Sequence, residues 1–98
     1  MKNINDLHIT GRVVQDPVIK DFKDHQMIRL RIAFPNANKK SGDGFGDVVM
    51  WDSLAKENLS LKKGNAVEIF GEIEYREWEK DDIRCSKIEI KANKLIVL

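Results

Sequence analysis

Two tryptophans and two phenylalanines recur at even spacings inside two stretches, "GFGDVVMW" (44–51) and "AVEIFGEIEYREW" (66–78). In an extended chain, side chains alternate between faces with period two. Phe45, Asp47, Val49 and Trp51 then share one side of the first stretch. Phe70, Glu72, Glu74, Arg76 and Trp78 share one side of the second. A third stretch, "MIRLRIAF" (27–34), sets Arg29 and Arg31 opposite Ile28, Leu30 and Ile32. Flat rings interleaved with guanidinium groups on one surface stack on exposed planar bases and meet phosphate charge. That is the chemistry of single-stranded nucleic-acid binding.

A tryptophan in a strand belongs to the core by default. The case for an outer surface rests on the opposite faces. Val48 and Met50 in one stretch, and Ile73 and Tyr75 in the other, already furnish a core. Phe70 is divided between surface and core, because Gly71 beside it allows a local bulge that turns the ring inward.

The elements that must carry these residues are mostly strands. "LHITGRVV" (7–14) alternates, with Leu7, Ile9 and Val13 inward and His8, Thr10 and Arg12 outward, and Gly11 interrupts it as a bulge or bend. Pro17 stops it, and "VIKDF" (18–22) is a short extended piece before the turn "KDHQ". The polar loop "PNANKKSGDG" (35–44) separates the second and third strands. "SLAKENLSL" (53–61) has helical spacing with Ser53 as N-cap, and "KKGN" ends it with Lys62 and Lys63 in the last turn before Gly64. "EKDD" makes a turn, and "IRCSKIEIKANKLIVL" supplies the last strand or two. The pattern predicts an all-β chain: a five-stranded barrel with one short helix between strands three and four.

The totals exclude several classes of function. The 98 residues suffice for one small domain with a single core, and 42% are hydrophobic. Charged residues make up 34%, yet the net charge is +1, so an anionic partner must be held by local patterning rather than bulk basicity. One cysteine, Cys85, makes no internal disulfide, and with only His8 and His25 it makes no usual zinc set. No apolar run reaches the roughly 20 residues of a membrane span, and the N-terminus has no signal-peptide stretch. The expectation is a cytoplasmic protein without cofactors. No nucleophile–base pair or phosphate-cradling glycine loop stands out, so an enzyme is the least favoured class.

"GRVVQDP" followed by "VVMWDSLAKENLSLKKGNAVEIFGEIEYREW" resembles the bacterial single-stranded DNA-binding proteins, in order and spacing, over about residues 5–98. The resemblance implies a single OB-fold domain over 1–98 that binds single-stranded DNA without catalysis and assembles as a dimer or tetramer. It implies stacking on Phe45, Trp51 and Trp78, and makes Lys63 the lysine of the family's Lys-Gly turn. With Phe70 as a further ring, the expected phosphate contacts are Arg12, Arg29, Arg31, Lys39, Lys40, Lys63 and Arg76.

The chain departs from the pattern in places. Asn38 stands where the family often has another aromatic, with Phe34 as the nearby substitute, and Asp47 and Glu77 stand where it favours basic residues. Family members continue into a tail with an acidic, hydrophobic tip that recruits replication and repair proteins, whereas this chain ends at Leu98, either cut there or tailless. The expected function is sequence-tolerant protection of single strands in replication, recombination and repair. The alternatives are a primosomal replication accessory protein of the same fold, and a non-catalytic OB-fold protein-interaction module.

Overall fold

The computed structural model describes residues 2–98. In chain order the elements are β1 (Leu7–Val13), β2 (Val18–Asp21), β3 (Gln26–Phe34), a 3-10 turn (Lys39–Ser41), β4 (Gly44–Trp51), α1 (Asp52–Glu57), β5 (Ala66–Lys80) and β6 (Ile83–Val97). The short piece after Pro17 is itself a paired strand, so the expected third strand is β4. The sheet order is β1-β5-β6-β4-β3-β2, and β1 also pairs with β3 at Arg12 and Val13. Five strands therefore close on themselves, with β2 attached to β3. Every pairing is antiparallel except β4 with β6, which run parallel through Val48–Ile90 and Val49–Lys91.

The alternation read from sequence sets the interior. Val13, Ile28, Leu30, Ile32, Val48, Met50, Val67 and Ile69 are each at most 1% exposed. Burying each such side chain is worth about 1.5–3 kcal/mol against leaving it in water. Ala55 of α1 and Leu61 just after it pack against the same cluster.

Two glycines serve close approach. Gly11 does not interrupt β1; a Cβ there would lie 2.7 Å from the Ala33 carbonyl, so glycine lets β1 and β3 meet where the sheet closes. At Gly71 a Cβ would collide with the Lys91 carbonyl, at the point where the β5–β6 register shifts between Phe70 and Gly71. That shift leaves Asn93 without a partner on β5, a bulge that bends the long hairpin.

Three expectations need correction here. The helix starts at Asp52, not after Ser53, and ends at Glu57, where the Asn58 N–H bonds the Ala55 carbonyl at 3.0 Å and the Asn58 side chain bonds the Leu54 carbonyl at 2.8 Å. A residue whose own amide closes the last turn stops the helix early. Lys62, Lys63 and Gly64 belong to a separate turn that Asn65 closes onto the Lys62 N–H at 2.9 Å. Third, Ile73 and Tyr75 are not core. β1 flanks β5 only as far as Gly71, and β4 flanks β6 only at Ile90 and Lys91, so the distal hairpin projects past the closed sheet. Ile73, Tyr75 and Ile88 are accordingly 38%, 58% and 66% exposed. The hairpin ends in Asp81 and Asp82, both at positive φ (53° and 63°), the conformation a two-residue type I′ turn requires.

Candidate nucleic-acid interface

Register assembles one outer surface from β3, β4, β6 and β5. Met27 lies opposite Trp51, Arg29 opposite Val49, Arg31 opposite Asp47 and Ala33 opposite Phe45. Across β6 and β5, Lys91 faces Glu72, Glu89 faces Glu74, Lys87 faces Arg76 and Cys85 faces Trp78. Phe45 is 56% exposed, Trp51 36% and Trp78 37%, so all three rings reach this surface.

Each ring has neighbours that fix it. The Arg31 guanidinium lies 5.7 Å from the Phe45 ring centre, and that of Arg76 lies 4.9 Å from Trp78. Trp51 is flanked by Phe22, with ring centres 6.1 Å apart, and by the edge of His25 at 6.5 Å. Asp52, at φ 51°, accepts from the Gln26 N–H at 3.2 Å and lies 3.2 Å from His25 Nδ1. These two bonds hold its carboxyl below the ordinary 3.8. They tie the turn after β2 to the start of α1, around Trp51.

Two carboxylates sit among the cations in the middle of the surface. Asp47 binds Arg31 at 3.0 Å and also Lys87. Burial acts to raise its pKa, but the bonds from Lys87 and Arg31 outweigh that and hold it below 3.8. Glu89, with a side chain only 3% exposed, lies 3.5 Å from Arg29 and 3.6 Å from Arg76. Counting Lys91, five cations share the four-stranded face with the carboxylates of Asp47, Glu72, Glu74 and Glu89.

The remaining expected residues are distributed differently. Phe70 faces outward but is half-buried, stacked on His8 with ring centres 4.1 Å apart and capped by Lys94 at 5.5 Å. It belongs to the β1 side, separated from Trp78 by Glu72, Glu74 and Arg76 along β5. Arg12 donates to the Gly64 carbonyl at 2.8 Å, and the Lys63 amide to Asp16 at 3.3 Å, which places both at the turn before β5. Lys39 and Lys40 are exposed on the 3-10 turn that Asn38 caps. Phe34 packs against the core, over Gly44 and Gly46, and is no substitute platform. Glu77 lies on the Tyr75 face of the hairpin beside Arg84 at 3.9 Å, not on the aromatic face.

Sequence reading missed Glu89, Lys87 and Lys91, although "KIEIK" (87–91) alternates plainly and puts all three opposite Ile88 and Ile90. Phe22 and His25 carry no such signal, since only the β2–β3 turn brings them to Trp51. Among the described residues, no group of three His, Cys, Asp or Glu could hold a metal ion, and no helix is long and apolar enough to cross a membrane.

Comparison with known proteins adds the following. The model of the single-strand binding protein family matches residues 4–98. A single-stranded DNA-binding protein of Treponema pallidum is 29% identical over all of this chain, which spans 60% of that protein. The mitochondrial single-stranded DNA-binding protein of Danio rerio is 29% identical over 99% of this chain, which spans 77% of it. Among solved structures, a Plasmodium falciparum single-strand binding protein in complex with single-stranded DNA superposes with a TM-score of 0.84 at 21% identity, covering 100% of this chain and 97% of that one. A deletion mutant of the Thermus aquaticus single-stranded DNA-binding protein gives 0.77 at 21% identity, covering 97% of this chain and 50% of that one. The two structural likenesses show a shared fold.

Proposed function

The chain belongs to the single-strand binding protein family, and from that premise we propose that it binds single-stranded DNA through the outer face of β3, β4, β5 and β6. Binding is without catalysis and with little sequence preference, because every base has a flat face to stack. Residues 1–98 act as one OB-fold domain, a five-stranded barrel with its helix between the third and fourth of those strands. Phe45, Trp51 and Trp78 are the stacking platforms. Arg29, Arg31 and Arg76 meet the phosphates nearest them, and Arg12, Lys39, Lys40 and Lys63 extend the path at the rim, with Phe70 as an outlying ring. The protein acts in the cytoplasm, covering single strands during replication, recombination and repair, where replication and repair proteins are its further partners. The observation that carries this reading is three exposed rings on one face, two of them lying against guanidiniums held by the half-buried Asp47 and the buried Glu89.

Titration with oligo-dT, followed by intrinsic tryptophan fluorescence, tests it. Strong quenching is expected, with far weaker binding to a duplex of equal length, whose bases are already stacked. Tight binding at unchanged fluorescence would remove both tryptophans from the site.

The chain also self-associates, in this reading, as a dimer or as a tetramer built from two dimers. β1 pairs with β3 only at Arg12 and Val13, so Leu7–Gly11 presents one unpaired edge, which another strand can extend. Light scattering is expected to give a mass of at least two chains; a monomer at the concentrations of the titration would refute it.

A further inference from the structure

Glu89 looks misplaced on a face that binds polyanions. Its carboxylate is buried to 3% exposure, at the centre of the proposed surface. It stands directly opposite Glu74, a like-charge cross-strand pair that costs stability. Arg29, which reaches it at 3.5 Å, leaves its own Nε buried with no hydrogen-bond partner among the described residues. An unmet buried donor is also costly. An unmet buried donor calls for an explanation, and proteins break local rules at a cost chiefly at functional sites.

The geometry offers the compensating role. Glu89 on β6 reaches Arg29 on β3 and Arg76 on β5, and so joins cations from strands on either side of it. Arg76 in turn lies over the Trp78 ring at 4.9 Å. One carboxylate thus sets the position of two guanidiniums and, through one of them, of a stacking ring. We propose that Glu89 is a positioning residue for single-stranded DNA binding, holding Arg29 and Arg76 in place before the strand arrives. This rests on the DNA-binding reading above. Long side chains that are already ordered lose less entropy on binding, so affinity gains a part that salt does not screen. The same carboxylate cancels one positive charge, which lowers the salt-sensitive part.

Two variants separate these effects. Glu89→Gln removes the charge and the anchor together. The slope of log K against log salt is expected to steepen by about 0.7, so that binding is about twofold tighter near 50 mM salt and about twofold weaker near 0.5 M. Glu89→Asp keeps the charge and withdraws the carboxylate by one methylene. With pairs already at 3.5 and 3.6 Å, it no longer reaches both arginines. Its slope should match the wild type, with affinity about fivefold lower at every salt concentration (an order-of-magnitude expectation for two freed arginine side chains). Circular dichroism melts report whether each variant folds. If neither does, NMR of the wild-type Arg76 Nε–H reads the same claim. A resolved, slowly exchanging signal in the DNA-free protein supports positioning, and the broadened signal of a free surface arginine overturns it. Glu89→Gln tighter at all salts with Glu89→Asp equal to wild type would make Glu89 a mere opposing charge, and two silent variants would place it outside the interface. Either result sinks this inference while leaving wild-type binding intact. Loss of wild-type binding itself would instead sink the function.

Discussion

Truncating Trp51 or Trp78 to alanine is expected to weaken oligo-dT binding by about 1–3 kcal/mol each, roughly 5- to 150-fold in Kd, the range for one base–aromatic stack. Trp78 should lie toward the upper end. Arg76 already covers its ring at 4.9 Å, so a base added to the other side completes a cation–ring–base sandwich. Trp51 depends more on its surroundings, being held by Phe22 and the edge of His25. Phe22→Ala should therefore weaken binding too, though less than removal of Trp51, by freeing the ring to move. Phe45, the most exposed of the three platforms at 56%, should lose a comparable stack on truncation. Anisotropy of a labelled oligonucleotide measures these variants, since intrinsic fluorescence changes with the tryptophans themselves. Near-wild-type affinity in both tryptophan variants, with their melts unchanged, would mean the strand runs elsewhere.

The face that carries these rings was readable because period-two alternation needs no knowledge of the partner strand. In β4, the buried Val48 and Met50 and the exposed Phe45 and Trp51 fall on the sides the spacing gives them. The same rule was insufficient in β5. Alternation correctly puts Ile73 and Tyr75 opposite Arg76 and Trp78, but it cannot tell whether anything covers them. Coverage depends on how far β1 and β4 run along the hairpin, a property of other segments. The face of Trp78 thus follows from register and not from a core behind it. Charge was misread for a related reason. The resemblance sets Glu77 where the family favours a basic residue, yet register puts it on the opposite side of the hairpin from Trp78, whereas Glu89 lies in a strand whose faces the sequence reading leaves unassigned. The helix end turns on one side chain, Asn58, donating to the Leu54 carbonyl, a local competition that spacing does not report.

Binding is also expected to depend weakly on salt. Each phosphate neutralised on a single strand contributes about −0.7 to the slope of log K against log salt. Were all seven proposed cations to act as free charges, the slope would approach about −5. The structure argues against that. Arg29 and Arg76 share Glu89, and Arg31 shares Asp47 with Lys87. Lys91 faces Glu72, and Arg12 is turned to the Gly64 carbonyl. Three of the seven, Arg29, Arg31 and Arg76, therefore reach a phosphate only while still balanced by a carboxylate, and release correspondingly fewer counterions. Three stacks of about 1–3 kcal/mol each supply affinity that salt hardly touches. The expected slope is about −1 to −3, from titrations across salt concentrations at neutral pH. Glu72→Lys and Glu74→Lys probe the balance from the opposite direction. Both positions are half-buried on the aromatic face, and each reversal adds two positive charges beside the strand. Each should tighten binding at low salt and steepen the slope by up to about 1.4, the value for two further phosphate contacts. Glu77→Lys, on the other side of the hairpin, should do neither, which makes it the control for a general effect of net charge. If all three reversals tighten binding equally, long-range charge and not the face itself governs affinity. If wild-type binding is lost by moderate salt, stacking is not the main term, and the three rings do not carry the strand.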